Sequence, residues 1–143
     1  MGGPAMIEGG GLGVVAPTDI GPAGVQVASG VIDLLAQDET EAVAAAKVLL
    51  SLPEESATSE GEVEGLRSMI PVDRTRAYDM RGVIRALVDD ADFTEIRRGF
   101  GIGMITGFGR INGRAVGILA NNPLQLGGAI DAAGGDCSQK TIN

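Results

Sequence analysis

Asn121-Asn122-Pro123, followed by Gly127-Gly128-Ala129, places two amide side chains and two residues without side chains directly after an apolar run that ends at Ala120. In α/β folds the C-terminal end of a strand is where ligands are commonly held, and glycine there lets a ligand approach the main chain closely. Main-chain N–H groups can then stabilise an oxyanion without any ionisable side chain. A plain turn uses the same residue types, and spacing alone favours the turn. The question matters because the chain has no histidine. That absence removes Ser/His/Asp triads, Cys/His dyads and His-ligated zinc or haem.

Other candidates are weaker. Gly11-Leu12-Gly13 with Ala16 loosely follows a dinucleotide fingerprint, but no strand-like run precedes it and Pro17 obstructs the helix that should open there. It is expected instead to be a loop beside a ligand or another stretch of backbone. Between Ile96 and Ile130 the charged residues are Arg97, Arg98, Arg110 and Arg114. These can face phosphates or an acidic partner surface, and the plainer expectation is solvent-facing strand and hairpin positions. Cys137 is the single cysteine, which excludes an internal disulfide and a Cys-based zinc site and reads as an incidental thiol. No residue set has metal-ligand spacing. The acidic run from Glu54 to Gly65 lacks an organised cation loop and is expected to be a solvated linker.

The net charge of −8 argues against a nucleic-acid or anionic-membrane partner. No 18-residue apolar run or signal-peptide pattern is present, so the expected location is cytoplasmic. With 44% hydrophobic but only 3% aromatic residues, the core must be built from aliphatic side chains.

The elements that position these residues follow from periodicity. Gly24 to Val27 and Val31 to Leu35 read as two strands around a turn. Asp38 and Glu41 can cap a helix carrying Val43, Ala46, Leu49 and Leu50, closed by Pro53. Asp79 caps a second helix, whose Met80, Val83, Ile84, Leu87 and Val88 recur at i, i+3, i+4, i+7 and i+8. Phe93 to Arg97 reads as a short strand. Met104 to Ile111 and Arg114 to Ala120 read as a hairpin joined by Asn112-Gly113, a pair that accepts the positive φ of a type I′ turn. Gly134 to Asn143 has no clear period.

Taken in order, several segments resemble the carboxyltransferase (β) subunit of biotin-dependent acyl-CoA carboxylases. They are Met1-Gly2-Gly3-Pro4-Ala5-Met6-Ile7-Glu8-Gly9-Gly10-Gly11-Leu12-Gly13, Gly30-Val31-Ile32-Asp33, Tyr78-Asp79-Met80-Arg81-Gly82-Val83-Ile84, Thr106-Gly107-Phe108-Gly109-Arg110 with Gly113-Arg114-Ala115-Val116-Gly117, and Ala120-Asn121-Asn122-Pro123 through Gly127-Gly128-Ala129-Ile130-Asp131. The resemblance covers residues 1 to about 131. It implies an α/β, crotonase-type (ClpP/crotonase-like) layered ββα fold that is incomplete and spans the junction of two subdomains. Residues 1–52 resemble the end of the first subdomain, 53–75 the connection, and 76–143 the beginning of the second. The tail departs from the family pattern, with Cys137 where a lysine is usual, as a truncated or frame-shifted gene, a partial read or a divergent sequence would produce.

The resemblance further implies transfer of a carboxyl group from carboxybiotin to the α-carbon of an acetyl-, propionyl- or methylcrotonyl-type acyl-CoA. Biotin itself serves as the base, which suits a chain without histidine. Gly2, Gly3 and Pro4 would lie toward the acyl-CoA, and Asn121, Asn122, Pro123, Gly127 and Gly128 toward biotin, as shaping residues. The implied partners are a biotin carboxylase and biotin carboxyl carrier subunit, which delivers the cofactor, and further carboxyltransferase protomers. The family's two oxyanion-hole motifs fall outside this stretch, so the expectation is a part inactive alone. The alternative is a non-catalytic binding or assembly module that docks on full-length carboxyltransferase subunits, or, less favoured, an unrelated binder of a small ligand through the glycine loops.

Overall fold

The computed structural model describes residues 3–54, 65–73 and 75–142. Gly2 and most of the expected acidic linker, residues 55–64, lie outside the described residues.

A three-stranded antiparallel sheet organises the second half. Its strands are β1 (Thr94–Ile96), β2 (Met104–Ile111) and β3 (Arg114–Asn121), in the order β1-β2-β3. The β2–β3 hairpin turns at Asn112 and Gly113, with φ of 53° and 74°, the left-handed pair that the Asn-Gly sequence predicts. The buried carboxylate of Asp89 accepts from the Asn112 N–H at 3.1 Å and the Gly113 N–H at 2.7 Å, so the turn's free donors are satisfied from below.

One face of the sheet is covered by α5 (Met80–Leu87). Asp79 caps this helix by accepting from the Arg81 N–H at 3.0 Å. Ile84 and Val88 pack on Ile105 to form the core, flanked by Met80, Phe93, Ile118 and Ala120. The opposite face receives α6 (Ala132–Ile142), whose start is capped by Asp131 accepting from the Gly134 N–H at 2.7 Å. This helix corrects the aperiodic tail expected from the sequence. Its glycines obscure the apolar stripe, yet buried Gly134 lets it approach Met104. Cys137 is likewise not incidental: it is 1% exposed, with its sulfur 3.9 Å from the Thr106 hydroxyl, which donates to the Ile96 carbonyl at 3.1 Å.

The first half is helical. It contains α1 (Pro4–Gly9), α2 (Ala23–Ala28) and α3 (Glu39–Ser51), and the four-residue α4 (Leu66–Met69) follows the undescribed segment. The cap of α3 is as expected: the Asp38 carboxylate accepts from the Glu41 N–H at 2.8 Å, and Glu41 reaches back to the Gln37 N–H at 2.7 Å. The two strands expected between Gly24 and Leu35 do not form. Gly24 to Val27 lies within α2, and residues 31–35 form no regular element. An apolar run this short suits either structure, and Ser29-Gly30 is a helix stop, not a hairpin turn. Gly30, at φ +71°, donates to the Val27 carbonyl while the Val31 N–H returns to the Gln26 carbonyl, which closes α2 in a Schellman motif.

The described core is small for the chain's length. Accessible surface amounts to 9615 Å², against about 6,900 Å² for a compact monomer of this mass. Met6, Leu12, Val14, Val25, Val43 and Leu50 are all exposed in the first half. Among the described residues no helix is long and apolar enough to cross a membrane.

β1 and the Phe93 ring approach β2 most closely at Gly107, where no side chain stands. A methyl group at Gly107 would run into the Thr94 carbonyl and the Phe93 ring, whereas one at Gly117 on β3 meets open space. Gly107→Ala is therefore expected to lower stability by about 1–3 kcal/mol, and Gly117→Ala to leave it within about 0.5 kcal/mol. Urea denaturation of both variants checks this; equal midpoints would contradict it.

Candidate functional site

β3 ends at Asn121, and the chain leaves it through residues whose backbone turns left-handed three times in succession. Leu126, Gly127 and Gly128 have φ of 48°, 64° and 87°. Only the two glycines adopt this without steric cost. The turn is closed by the Asn121 side-chain amide, which donates to the Gly128 carbonyl at 3.2 Å, and by the Gly128 N–H, which donates to the Gln125 carbonyl at 2.8 Å. Among the described residues the main-chain N–H groups of Leu126 and Gly127 have no partner. Asn121, Pro123 and Gly127 together line a pocket of about 160 Å³, whose other wall is Thr75, Arg76, Ala77 and Tyr78.

The structure thus brings together Asn121, Pro123, Gly127 and Gly128. Asn122 turns away: it is buried, donating through its amide to the Ile102 carbonyl at 2.9 Å and through its N–H to the Gly103 carbonyl at 2.8 Å. Its role is to tie the end of β3 to the turn before β2. Gly3 and Pro4 open α1, where the Gly3 carbonyl accepts from the Met6 N–H at 3.0 Å; both are exposed, and neither lines this pocket. Gly11 and Gly13 have positive φ in an open loop with nothing against them. Among the described residues no group of three or more Cys, Asp or Glu residues is placed to hold a metal ion.

Tyr78 was visible in the sequence as the residue before a helix cap and as part of a family-like segment, with no site role assigned to it. Its place in the pocket follows from α5 being held against β1. Arg81, the second residue of α5, donates from Nε to Glu95 Oε2 at 2.8 Å and from Nη2 to Oε1 at 2.5 Å. This bidentate hydrogen bonding to Glu95 raises the guanidinium's pKa above its ordinary value. Thr75, Arg76 and Ala77 carried no signal of spacing or period.

Two of the four arginines expected to face solvent are instead structural ties. Arg97 and Arg110 side chains are 13% and 14% exposed, while Arg98 is 77% exposed. Arg97 donates its N–H to the Asp33 carbonyl at 2.7 Å, pairs through Nη2 with the Asp33 carboxylate at 2.7 Å, and donates from Nη1 to the Thr141 hydroxyl at 3.1 Å. Arg110 donates to the carbonyl of Ser51, the last residue of α3, where free helix-end carbonyls favour a cation. Between these ties lies a cavity of about 260 Å³ walled by Leu34, Leu49, Ile96 and Phe108.

Comparison with known proteins decides the family. The carboxyl transferase domain matches residues 4–143. The chain belongs to the carboxyl transferase family. It is 34% identical over 125 residues to the methylmalonyl-CoA carboxyltransferase 12S subunit of Propionibacterium freudenreichii subsp. shermanii, covering 80% of this chain and 24% of that protein. The propionyl-CoA carboxylase beta chain of Saccharopolyspora erythraea is 38% identical over 131 residues, covering 78% and 23%. The structure superposes on a single-chain, multi-domain long-chain acyl-CoA carboxylase with a TM-score of 0.91 at 42% identity, covering 99% of this chain and 15% of that one. It also superposes on the transcarboxylase 12S hexamer with hydrolysed methylmalonyl-CoA bound, with a TM-score of 0.80 at 33% identity, covering 99% and 30%. The fold is thus a mixed helix-and-strand stretch of a carboxyltransferase domain in the crotonase-like class. The chain spans about a quarter of the length of the curated relatives it matches.

Arg97→Met removes the side-chain bonds to Asp33 and Thr141. Because Asp33 is more than half exposed, the expected loss of global stability is only about 1 kcal/mol. Amide hydrogen exchange over residues 31–35 should accelerate several-fold while α5 keeps its protection; unchanged exchange over residues 31–35 would contradict the tie.

Proposed function

We propose that this chain is a stretch of a biotin-dependent acyl-CoA carboxyltransferase subunit, in which residues 1–52 end one ββα subdomain, 53–75 connect, and 76–143 begin the next. The observation that carries the reading is the pocket after β3, in a chain of this family, at the residues the resemblance assigns to biotin. Asn121, Pro123, Gly127 and Gly128 would face the biotin head group, with Asn122 holding their loop in place. The residues fit such a group: the pocket is small, Gly127 presents no side chain to it, and the unpaired Gly127 N–H suits a neutral ureido carbonyl. Carboxybiotin, delivered by a carrier subunit, supplies both the carboxyl group and the base.

What remains for this chain is orientation, which can lower a barrier by several kcal/mol when two ligands are held in reacting geometry. Gly3 and Pro4, with Gly2, would lie on the acyl-CoA side, and the acyl-CoA is of the acetyl-, propionyl- or methylcrotonyl-CoA type. The partners are a biotin carboxylase and carrier subunit and other carboxyltransferase protomers, in a cytoplasmic setting that keeps Cys137 reduced.

A second reading, a non-catalytic module that docks on full-length carboxyltransferase subunits, is favoured by the exposed apolar residues of the first half. Co-elution with an intact 12S subunit would support it.

The proposal is tested by replacing the matching segment of the Propionibacterium 12S subunit with residues 4–131 and measuring carboxyl transfer from methylmalonyl-CoA to free biotin. Transfer within about tenfold of the parent is expected. Gly127→Val in the chimera should raise KM for biotin at least about tenfold, with KM for methylmalonyl-CoA unchanged; an effect on the CoA substrate alone would overturn the assignment. The 143-residue chain by itself is expected to give no biotin-dependent decarboxylation of malonyl- or methylmalonyl-CoA in a coupled assay, and robust turnover would refute that expectation.

A further inference from the structure

Thr75, Arg76, Ala77 and Tyr78 form the pocket wall that faces the glycine loop after β3, and Arg76 is the one charge among the residues that line the pocket. Its place is set by its own turn. The Asp73 carboxylate accepts from the Thr75 N–H at 3.0 Å and from the Thr75 hydroxyl at 2.7 Å, and the Arg76 N–H donates to the Asp73 carbonyl at 3.1 Å. An aspartate turn of this kind fixes the backbone at Arg76 before any ligand arrives. On the other side in sequence, Asp79 accepts from the Arg81 N–H at 3.0 Å. Both flanking carboxylates are thus engaged by a turn or a helix start, and among the described residues neither forms an ion pair with Arg76.

We propose that Arg76 recognises the carboxylate of carboxybiotin, so that this pocket holds the carboxylated head group in preference to the uncharged one. The inference rests on the biotin reading of the pocket and adds to it the residue that tells the two forms apart. Carboxylation replaces a ureido N–H with N–CO₂⁻, which brings a negative charge and new acceptor oxygens. The Gly127 N–H and the Asn121 amide are neutral and meet ring atoms that both forms share. A guanidinium, by contrast, presents a planar fork of donors that matches a carboxylate. The chain as a whole carries −8 and repels an anion, so a cation on the pocket wall decides whether the charged form is favoured there. Arg76 is exposed, and solvent screens the pair in part. A discrimination of about tenfold is therefore expected.

The test uses the chimeric 12S subunit with the methyl esters of biotin and carboxybiotin, which remove the charge of the biotin tail. For carboxyl transfer to propionyl-CoA, Arg76→Gln should raise KM for the carboxybiotin ester about tenfold, and Arg76→Lys, which keeps the charge, should recover most of that loss. In the opposite direction kcat should fall by a similar factor at unchanged KM for the biotin ester, because the equilibrium constant fixes the ratio of the two kcat/KM values. Arg98→Gln removes an equal charge from a side chain that is 77% exposed and outside the pocket, and it should move neither KM. Binding is read separately: in the 15N-labelled chain the Arg76 Nε–H resonance should shift saturably with the carboxybiotin ester and stay in place with the biotin ester. Gly127→Val separates this inference from the reading beneath it. If Gly127→Val raises KM for both esters while Arg76→Gln changes neither, or both equally, the pocket stands and the role of Arg76 is overturned. A lysine variant as weak as the glutamine one, or an Nε–H indifferent to the carboxylated ester, overturns it as well. If Gly127→Val changes neither KM, the biotin reading fails and this inference with it.

Discussion

β2 is covered on both faces, and everything else in the sheet half depends on how closely its neighbours approach. Gly107 sits beneath the Phe93 ring and the Thr94 carbonyl, and Gly109 beside Val88 and the Asp92 carbonyl. A strand without these gaps would hold α5 away from the sheet and β1 away from β2, and with α5 Tyr78, which forms part of the pocket wall. On the other face Thr106 donates its hydroxyl to the Ile96 carbonyl, which offsets the desolvation of this polar group beneath α6.

The two halves are joined by polar ties and by a few apolar contacts, among them Gly30 beneath the Phe100 ring and Val27 beside Gly99. The Arg97–Asp33 pair, the Arg110–Ser51 bond and the Lys140 ammonium, which lies 4.6 Å from the centre of the Phe100 ring and donates to the Ser29 carbonyl, link the helical first half to the sheet and to α6. Among the described residues, the fully buried apolar side chains belong to the second half. Such a construction is expected of a stretch of a larger domain, where further surface covers the aliphatic side chains left exposed here.

Local rules with a physical mechanism were legible in the sequence. Asp38 and Asp79 cap helices as predicted, Asn112-Gly113 turns the hairpin, and the i, i+3, i+4 stripe of α5 buries Val83 and Ile84. Short aliphatic runs were not: Gly24 to Val27 reads as a strand, and the Schellman closure at Gly30 shows a helix there instead. α6 was hidden by its own glycines, and the inward turn of Arg97 and Arg110 depends on carbonyls and a carboxylate from more than fifty residues away in sequence. In the candidate site the glycine loop after β3 was legible from residue type. The opposite wall from Thr75 to Tyr78 was not, because it arises from packing of α5.

The central claim, that the loop after β3 faces the biotin head group, is tested most directly by titrating biotin into the 15N-labelled chain and following amide shifts. The account predicts saturable shifts at Tyr78, Asn121, Gly127 and Gly128, with the cavity residues Leu49 and Phe108 unmoved. Shifts centred on Leu49 and Phe108, or none up to the solubility of biotin, would contradict it.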